Sequence, residues 1–398
     1  MMNKIAIFGL GYVGLPLAIE AHKSGYSIVG IDTSLSKVSQ LNSGISTVED
    51  ISDDTVSNSL SSDSFKVVTE LIGEYIFDVL VICVPTPLNA EHTPDLSCLI
   101  SATKTAAKFV RPGSLVIIES TVETGTTRET VLPLLTSISG LHDTSFFLAF
   151  SPERVDPKNP LWNIRNTPKL VSALNKDGLN AAVKFYSRFI DTIIECSSLE
   201  VAETAKLLEN SFRLVNISFI NEFFIYCQKI GISINEVIHA AASKPYGFMT
   251  FYPSIGIGGH CIPIDPIYLA NRAKNIGVST DFIDLAIKVN HQMPLYFVKQ
   301  AFLRLGTLSK KRILVIGISY KPNMSDTRET PVASLIRELR IEGAEVFWHD
   351  DLVEAWNGET SVPLSDEYDL AIIATPHDYL DLTKLRDLPI LNTRESIQ

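Results

Sequence analysis

Residues 4–14 read KIAIFGLGYVG, an apolar run that leads directly into the pattern GxGxxG. The residues that follow, LPLAIEAHK, have the apolar spacing of a helix, so the stretch predicts a strand, a tight turn and a helix. Gly9, Gly11 and Gly14 would let the backbone of the turn approach a phosphate group closely. Taken alone, the pattern is just as typical of a tight turn without a ligand.

Asp32 strengthens this interpretation, because it ends the strand-like run SIVGID eighteen residues after Gly14. A carboxylate at this place accepts hydrogen bonds from an adenosine ribose, and its charge would repel a 2′-phosphate. The sequence therefore predicts a dinucleotide site that prefers NAD over NADP. Two alternatives stay open: Asp32 could only cap the next helix, and Lys37 could contact the ribose or phosphate or be a solvated lysine.

The alternation of strands and helices continues through residue 197 and returns near Lys310, which is typical of parallel βαβ units. We expect a helix from about Thr330 to Ile341. The other strand-like runs are FDVLVICVP, SLVIIES, FFLAFSP and TIIEC in the first part, and KRILVIGIS, EVFWHD and DLAIIATP in the second.

The middle of the chain has a helical pattern instead. A helix of over thirty residues is predicted between Ser198, a suitable N-cap, and Gly231, a suitable stop. SINEVIHAAAS predicts a second helix, and a further helical pattern runs from Pro266 to Leu305, with Pro294 as a boundary or kink. We therefore predict an α/β fold with two Rossmann-like doubly wound domains, residues 1–197 and 307–398, joined by a helical middle domain, residues 198–306, with a long central helix.

Composition and charge exclude several classes of protein. The 398 residues carry a net charge of −11, which argues against nucleic acid or an anionic membrane as the main partner. No apolar stretch is long enough to span a membrane. The five cysteines lack paired spacing, which favours the reducing cytoplasm over a disulfide framework, and no zinc-binding pattern is present.

Two threonines follow later strands of the first domain. Thr86 lies in VPTP, residues 84–87, and Thr121 lies in STV, residues 120–122. Ligands of open α/β sheets bind at the carboxyl ends of the strands, so both are candidate cofactor contacts. They could equally be ordinary turn residues.

Cys261 lies in the glycine-rich loop GIGGHCIPID, residues 256–265. By itself, a buried structural cysteine is at least as plausible as a reactive one. Beside a nicotinamide, however, a thiol can trap an aldehyde as a thiohemiacetal, which loses a second hydride to give a thioester that water hydrolyses. This chemistry converts a primary alcohol into an acid.

The long helix carries polar side chains that could support this chemistry. Lys206, Asn210 and Arg213 fall within about 60° of one another at 3.6 residues per turn. They could supply a base and a stabiliser of negative charge. The alternative is an ion-pair ladder with Glu203 and Glu209.

Two carboxylates could handle the water molecule. Glu153 lies in SPERV after a predicted strand, and Asp265 lies four residues after the cysteine. Either could orient water or tune Lys206. Either could instead pair with a neighbouring arginine or cap the helix that begins near Pro266.

Seven segments occur in one order along the chain: GLGYVGLPLA, VPTP, EST, SPERV, AKLLEN, GGHCIPIDP and YKPNMSDTRET. With them the chain resembles the UDP-glucose/GDP-mannose dehydrogenase family over essentially its full length. The resemblance implies a four-electron oxidation of a nucleotide sugar at C6 with two NAD in succession. It also implies that the cofactor binds the N-terminal domain and UDP the C-terminal domain.

The residue patterns and the resemblance together assign the site residues. Catalytic roles are expected for Cys261, Lys206, Asn210, Asp265, Glu153 and Thr121. Cofactor contacts are expected from Gly9, Gly11, Tyr12, Val13, Gly14, Asp32, Lys37, Thr86, Thr121 and Arg328. Substrate contacts are expected from Glu153, Arg154, Lys206, Asn210, Arg213, Tyr252, Gly258, Tyr320 and Lys321.

Within the family, GGHCIPIDPIYL after KPYGFMTFYP is most similar to enzymes that oxidise UDP-N-acetylglucosamine. The resemblance implies that Arg213 and the segment Tyr246–Tyr252 shape the sugar site. UDP-N-acetylmannosamine and UDP-glucose enzymes are close competitors. The chain departs from the subgroup at Ser254-Ile255, Thr250 and Lys158, the last of which replaces a glycine.

Two other functions would fit parts of the pattern. A nucleotide-sugar-binding protein without turnover would not need the thiol, and a two-electron hydroxy-acid dehydrogenase would not need the cysteine loop or a third domain. The apolar surface of the long helix predicts a homodimer across the middle domain. The expected partner is a UDP-sugar, with neither nucleic acid nor membrane, in the cytoplasm.

Overall fold

The computed structural model describes residues 3–156, 158–259, 261–385 and 388–395, and it contains two compact units, Met1–Leu208 and Glu209–Gln398. The three-domain division predicted from the sequence stays a prediction.

The first unit is built on an eight-stranded sheet with the strand order β3-β2-β1-β4-β5-β6-β7-β8. Neighbouring strands are parallel except at β6 and β7, which are antiparallel. The strands are β1 (Lys4–Phe8), β2 (Ser27–Ile31), β3 (Phe65–Val68), β4 (Val79–Ile82), β5 (Leu115–Ile118), β6 (Phe147–Phe150), β7 (Lys169–Ala173) and β8 (Ile193–Glu195). This order confirms the doubly wound fold expected for the N-terminal part.

Helices cover both faces of this sheet. Alternate residues of β1 enter different apolar clusters, Ile5 and Ile7 on one face and Ala6 and Phe8 on the other. The strands therefore read as continuous apolar runs, as expected when both faces are buried. The helices of this part are α1 (Gly14–Lys23), α2 (Leu35–Asn42), α3 (Asp53–Leu60), α4 (Ser97–Ala107), α5 (Leu132–Ser139) and α6 (Lys176–Tyr186).

The predicted long helix is α7 (Leu199–Ile230), with 32 residues. The Ser198 hydroxyl accepts a hydrogen bond from the N–H of Val201 at 3.3 Å, and Gly231 has a left-handed φ of 74°, so both predicted ends are confirmed. The helices that follow are α8 (Ile234–Ala242), α9 (Asp265–Asn275) and α10 (Asp281–Leu305). Pro294 lies inside α10, so of the two expected outcomes the helix boundary was wrong and the kink stays a prediction.

The C-terminal sheet belongs to the second unit and has the order β10-β9-β13-β14, with all neighbours parallel. Its strands are β9 (Arg312–Ile316), β10 (Glu345–His349), β13 (Leu370–Ile373) and β14 (Ile390–Asn392). The hairpin β11 (Ala355–Trp356) and β12 (Glu359–Thr360) forms a separate two-stranded sheet. The helix α11 (Val332–Ile341) begins two residues after the predicted start, behind Pro331. Phe224 of α7 and Phe297 of α10 share one buried cluster with Ile313 of β9 and Trp348 of β10.

The two parallel sheets repeat one local design. Gly9 follows β1 with a φ of 90°, and Gly317 follows β9 with a φ of 78°. A Cβ atom would lie 2.5 Å from the Cys83 carbonyl oxygen at the first glycine and 2.0 Å from the Thr375 carbonyl oxygen at the second. Only glycine fits where the first strand of each sheet turns beneath its neighbour.

Two kinds of feature are absent from the part of the chain that the structure describes. None of the described helices combines the length and apolar character needed to cross a lipid bilayer. The described residues also contain no group of three or more His, Cys, Asp or Glu side chains that could hold a metal ion.

Glu203 of α7 forms hydrogen bonds with the segment before α5, and its replacement tests how much this contact stabilises the fold. Its buried carboxylate accepts hydrogen bonds from the N–H groups of Gly125 at 2.6 Å and Thr127 at 2.9 Å. Glu203→Ala leaves both buried donors without a partner, so we expect the free energy of unfolding to fall by roughly 2–3 kcal/mol. Urea unfolding followed by circular dichroism measures this change.

Glu200→Ala is the matched control, one helical turn away. Glu200 forms a partly exposed ion pair with Arg128 at 2.6 Å, and exposed pairs contribute only about 0–1 kcal/mol. Equal losses for the two variants would contradict the proposed anchoring by Glu203.

Candidate active site

The turn after β1 has the shape that a dinucleotide pyrophosphate needs. A Cβ atom on Gly14 would lie 1.8 Å from the carbonyl oxygen of Gly9, whereas one on Gly11 would meet no atom within 4 Å. Gly14 is therefore required by packing inside the protein, and Gly11 leaves open space beside the backbone. Tyr12 and Val13 complete the turn and pack against the core, and no side chain caps the N-terminus of α1. These residues fit NAD at the helix N-terminus.

Asp32 lies beside this turn and is held in place by three donors. Its carboxylate accepts hydrogen bonds from the N–H groups of Leu10 and Ser34, each at 3.0 Å, and from the ammonium of Lys37 at 2.8 Å. Burial opposes ionisation, but these bonds outweigh it and lower the pKa of Asp32. Ser34, not Asp32, is the N-cap of α2, so the capping alternative was wrong. Lys37 is ion-paired and is not the solvated lysine of the other alternative.

The loops after β4 and β5 meet at the carboxyl edge of the sheet. The buried hydroxyl of Thr86 donates a hydrogen bond to the carbonyl oxygen of Thr121 at 2.8 Å, and the hydroxyl of Ser120 donates to the carbonyl of Val84 at 2.7 Å. The structure thus brings the two predicted threonine contacts together. Their contacts with a cofactor stay a prediction.

Glu153 follows β6 and has an ionic partner that the sequence did not suggest. One carboxylate oxygen accepts from the N–H groups of Arg154 at 2.7 Å and Val155 at 2.8 Å, and the other lies 3.0 Å from the ammonium of Lys169. The alternative that Glu153 pairs with an arginine was wrong. The guanidinium of Arg154 instead donates to the carbonyl of Pro168 at 2.7 Å.

Lys158, which replaces a glycine of the related subgroup, keeps a glycine-like backbone. Its φ is 57°, in the left-handed region where a non-glycine side chain is uncommon. Its ammonium pairs with Glu49 at 2.7 Å, and its N–H donates to Asp50 at 3.0 Å. Lysine therefore adopts here a backbone conformation that glycine would adopt without steric cost.

The polar residues of α7 differ in exposure. Lys206, in the first unit, and Asn210, in the second, are buried, whereas Arg213 is exposed. The carboxylate of Glu203 binds the backbone N–H groups described above, so Glu203 does not form the ion pair with Lys206 that the alternative ladder required. Of these three polar residues of α7, two are therefore buried and the third, Arg213, is an exposed cation.

Asn210 and Asp265 are brought together within the second unit. The Asn210 amide donates a hydrogen bond of 2.5 Å to the Asp265 carboxylate, which is 3% exposed. Asp265 is the first residue of α9, whose N-cap is Ile264 without a side-chain bond, so the helix-cap alternative was wrong. The carboxylate is instead oriented by the long helix.

Cys261 is exposed, which excludes the buried structural alternative. Its carbonyl oxygen accepts a hydrogen bond from the N–H of Asp265 at 2.8 Å. The thiol therefore sits immediately before α9, on the same short segment as the carboxylate that Asn210 orients. Reactive cysteines need this kind of accessibility to a substrate.

Two buried asparagines hold the cysteine loop, and the sequence analysis missed both. Asn221 of α7 accepts a hydrogen bond from the N–H of Ser254 at 2.9 Å. Asn290 of α10 accepts from the N–H of Ile257 at 2.6 Å and donates to its carbonyl at 3.3 Å. The sequence does hold a signal for them, because each is an amide among apolar neighbours of a helix. A buried amide needs a hydrogen-bond partner, so such a residue is expected to bind another segment.

The same loop packs against the segments that carry the predicted substrate contacts. A Cβ atom on Gly258 would lie 2.7 Å from the Cβ of Tyr320, and the N–H of Gly259 donates to the carbonyl of Arg328 at 3.1 Å. The Arg328 guanidinium pairs with Asp326 at 2.6 Å, and the carbonyl of Lys321 accepts from Ser319 at 3.0 Å. Tyr252 is 57% exposed.

Asp350 occupies the place in the second sheet that Asp32 occupies in the first. It accepts from the N–H of Ile318 at 2.9 Å, as Asp32 does from Leu10, and from the imidazole of His377 at 3.2 Å. Burial opposes ionisation, but these bonds lower the pKa of Asp350. The other His377 nitrogen accepts from the N–H of Asn323 at 2.9 Å, which places the ring proton on Nε2.

Family models match nearly the whole chain. The NAD binding domain of the UDP-glucose/GDP-mannose dehydrogenase family matches residues 3–190, its central domain residues 200–292 and its UDP binding domain residues 314–395. The chain belongs to this family. It is an NAD-dependent oxidoreductase of the UDP-sugar dehydrogenase class.

Relatives with different sugars are about equally similar to this family member. A UDP-N-acetyl-D-glucosamine 6-dehydrogenase of Pseudomonas aeruginosa is 34% identical, covering 94% of this chain and 90% of the relative. A UDP-N-acetyl-D-mannosamine dehydrogenase of Pyrococcus horikoshii is 35% identical, covering 94% and 89%. A solved structure of the UDP-D-ManNAc dehydrogenase from Pyrococcus horikoshii has a TM-score of 0.89 and 32% identity, covering 99% and 96%.

The variants Gly11→Ala and Gly14→Ala distinguish a glycine that leaves room for a ligand from a glycine that is needed for packing within the protein. Because a methyl group at Gly11 meets only open space, we expect an unchanged melting temperature but NAD binding weakened at least tenfold, which is about 1.4 kcal/mol. Gly14→Ala forces a contact with the Gly9 carbonyl and should lower both stability and NAD affinity. Calorimetry with NAD and thermal unfolding measure the two effects, and parental NAD affinity in Gly11→Ala would contradict this placement of the pyrophosphate.

Proposed function

We propose that this enzyme oxidises the C6 hydroxymethyl group of UDP-N-acetylglucosamine to a carboxylate, giving UDP-N-acetylglucosaminuronic acid and two NADH. The observation that carries this proposal is the exposed Cys261 thiol on a fixed loop, joined through Asp265 to the amide of Asn210. A thiol in this setting suits covalent capture of an aldehyde.

The proposed reaction assigns a role to each predicted catalytic residue. NAD, when bound, accepts one hydride in each of the two oxidation steps. After the first step, the Cys261 sulfur bonds to the aldehyde carbon, and Lys206 and Asn210 stabilise the oxyanion. After the second step, water attacks the thioester, the carbon–sulfur bond breaks and the thiolate leaves. Asp265, Glu153 and Thr121 position and activate that water.

The sugar assignment rests on the segment around Cys261. GGHCIPIDPIYL after KPYGFMTFYP is most similar to the enzymes for UDP-N-acetylglucosamine, and one such relative is 34% identical. We propose that Arg213 and the exposed side chains of Tyr246 and Tyr252 contribute to sugar selectivity. UDP-N-acetylmannosamine is the second candidate, because a relative for that sugar is 35% identical.

We also propose that the three predicted domains bind different parts of the substrate and cofactor. Residues 1–197 bind NAD, residues 198–306 contribute the cysteine loop and long helix, and residues 307–398 bind the UDP moiety, with Tyr320 and Lys321 as contacts. Arg328 is the proposed cofactor contact from this last part. All five cysteines are thiols, which supports a place in the reducing cytoplasm.

A substrate panel tests the proposed function directly. UDP-N-acetylglucosamine, UDP-N-acetylmannosamine, UDP-glucose and UDP-N-acetylgalactosamine are each incubated with NAD, and NADH is counted per sugar consumed. We expect the highest kcat/KM for UDP-N-acetylglucosamine, with two NADH per sugar. One NADH per sugar with release of an aldehyde would contradict the four-electron reaction, and absence of NADH with every sugar would contradict the enzyme assignment to this substrate class.

Cys261→Ser provides the variant for the same assay, with Cys98→Ser as the matched control, because both thiols are exposed. Serine lacks the nucleophilicity of a thiolate, so we expect acid formation to fall at least about a thousandfold while NAD and UDP still bind. Cys98→Ser should keep parental turnover. Parental turnover of Cys261→Ser would exclude the covalent mechanism.

We also propose a homodimer that pairs along one face of α7. Exposed apolar side chains recur along this helix at intervals of seven, four, seven, four, three and four residues, so they lie within about 60° of one another. They are Val201, Leu208, Phe212, Phe219, Phe223, Tyr226 and Ile230. A continuous exposed apolar stripe of this kind is typical of an interface.

Phe219→Glu tests this interface, because a charge in the centre of the stripe opposes its burial. We expect light scattering to give twice the 43.9 kDa chain mass for the parent and the monomer mass for the variant at micromolar concentration. Leu35→Glu, at a still more exposed apolar site outside α7, should remain dimeric. A monomeric parent would contradict the proposal.

A further inference from the structure

Four polar side chains form a buried cluster at the carboxyl edge of the first sheet. The ammonium of Lys169 lies 3.1 Å from the Glu119 carboxylate and 3.0 Å from the Glu153 carboxylate. It also lies 5.2 Å from the centre of the Tyr186 ring, and the Tyr186 hydroxyl donates to the second oxygen of Glu119. Lys169 therefore bridges two carboxylates that come from different strands.

Burial differs between the two carboxylates. The side chain of Glu119 is fully buried, and that of Glu153 is 14% exposed. Two carboxylates and one ammonium leave one surplus negative charge, which is costly to bury without compensation. Glu153 is the member of the cluster through which that charge reaches the protein surface.

The surroundings of the two carboxylates also shift their pKa values in opposite directions. Burial raises the pKa of Glu119. Burial also opposes ionisation of Glu153, but Lys169 and the N–H groups of Val155 and Arg154 outweigh it and lower its pKa. Pairs of carboxyl groups with divergent surroundings are characteristic of acid–base sites.

We propose that Lys169, with Glu119 and Tyr186 behind it, is a positioning residue that holds Glu153 ionised and oriented as the proton acceptor for hydrolysis of the thioester. This inference rests on the proposed function and extends it to a residue that neither the sequence patterns nor the family resemblance singled out. Lys169 contacts Glu153 and not the reacting atoms.

The step that depends on this arrangement is a hydrolysis without change of oxidation state. Water oxygen bonds to the thioester carbon while its proton passes to the Glu153 carboxylate. The tetrahedral adduct then breaks its carbon–sulfur bond, and the Cys261 thiolate leaves. The proton on Glu153 passes to solvent at the exposed side of the carboxylate.

The other ionisable groups around the cluster do not supply a positive charge to Glu153 in place of Lys169. The Cys83 thiol, after β4, is buried, and burial raises its pKa well above the ordinary value, so it stays neutral. The same is true of the Tyr186 hydroxyl on α6. The Arg154 guanidinium donates to a backbone carbonyl. Within the described ranges, Lys169 is the cation that contacts both carboxylates.

Lys169→Met tests the proposal in a rapid-mixing experiment with NAD and the best UDP-sugar. We expect the first two hydride transfers to proceed at nearly the parental rate, giving a burst of two NADH per active site, while steady-state turnover falls 10- to 100-fold because hydrolysis is slowed. The acid limb of kcat should move to higher pH, since burial and Glu119 then favour protonated Glu153. A parental pH profile with parental turnover would overturn the proposal.

Three further variants separate positioning from folding. Lys169→Arg should retain most of the activity and the parental pH profile. Glu119→Gln removes a negative neighbour, so the acid limb should move to lower pH, and adding it to Lys169→Met should move the limb back towards the parental value. If Lys169→Met does not fold, the pH dependence of kcat in Glu119→Gln tests the proposal instead. An acid limb at the parental pH in that variant overturns the proposal.

Lys176→Met is the matched control, because Lys176 forms an exposed pair with Glu195 and should behave as the parent. Loss of the NADH burst together with turnover in folded Lys169→Met would indicate a general structural role and overturn the proposal. Failure of the proposed function appears separately, as a parent that makes no NADH or one NADH per sugar.

Discussion

The first sheet depends on a position where no Cβ atom fits. At Gly9 the backbone of β1 passes so close to the Cys83 carbonyl that a side chain would lie 2.5 Å from that oxygen. This contact brings the turn after β1 against the end of β4, while the next N–H, that of Leu10, donates to Asp32. The loop after β4 in turn meets the loop after β5, where Thr86 donates to the carbonyl of Thr121. The candidate cofactor contacts of the first sheet therefore adjoin one close backbone approach.

The sequence predicted the elements whose signal is local. Apolar runs beside glycine turns located β1, β2, β4 and most of the other strands, and serine and glycine located both ends of α7. The strands β3 and β7 escaped because FKVV is short and alternates in exposure, and KLVSA follows an irregular loop. Pro294 did not end α10, since a buried helix packed on its neighbours can keep a proline in its interior.

The parts of the site that escaped prediction depend on contacts between distant residues. Lys169 meets Glu119 across 50 positions of sequence, and Asn290 meets Ile257 across 33. Neither pair produces a periodic pattern within one segment of the sequence. Each partner is an isolated polar residue among apolar neighbours, and the sequence does not show which distant residue it contacts. The sequence singled out Cys261 and Asp265 because glycine, proline and a charged residue occur together within the ten residues of their loop.

The enclosed Asp350 has a consequence for the order of events in catalysis. Asp350 is 1% exposed and accepts from His377 and the N–H of Ile318, whereas Asp32 is 9% exposed and lies beside the glycine turn of the first sheet. The NAD binding domain of the family matches the first sheet and the UDP binding domain matches the second, so we expect one dinucleotide to bind at a time. Under the proposed four-electron reaction, the reduced cofactor must then leave before a second oxidised one enters, and the proposed bond between Cys261 and the sugar would hold the intermediate during that exchange.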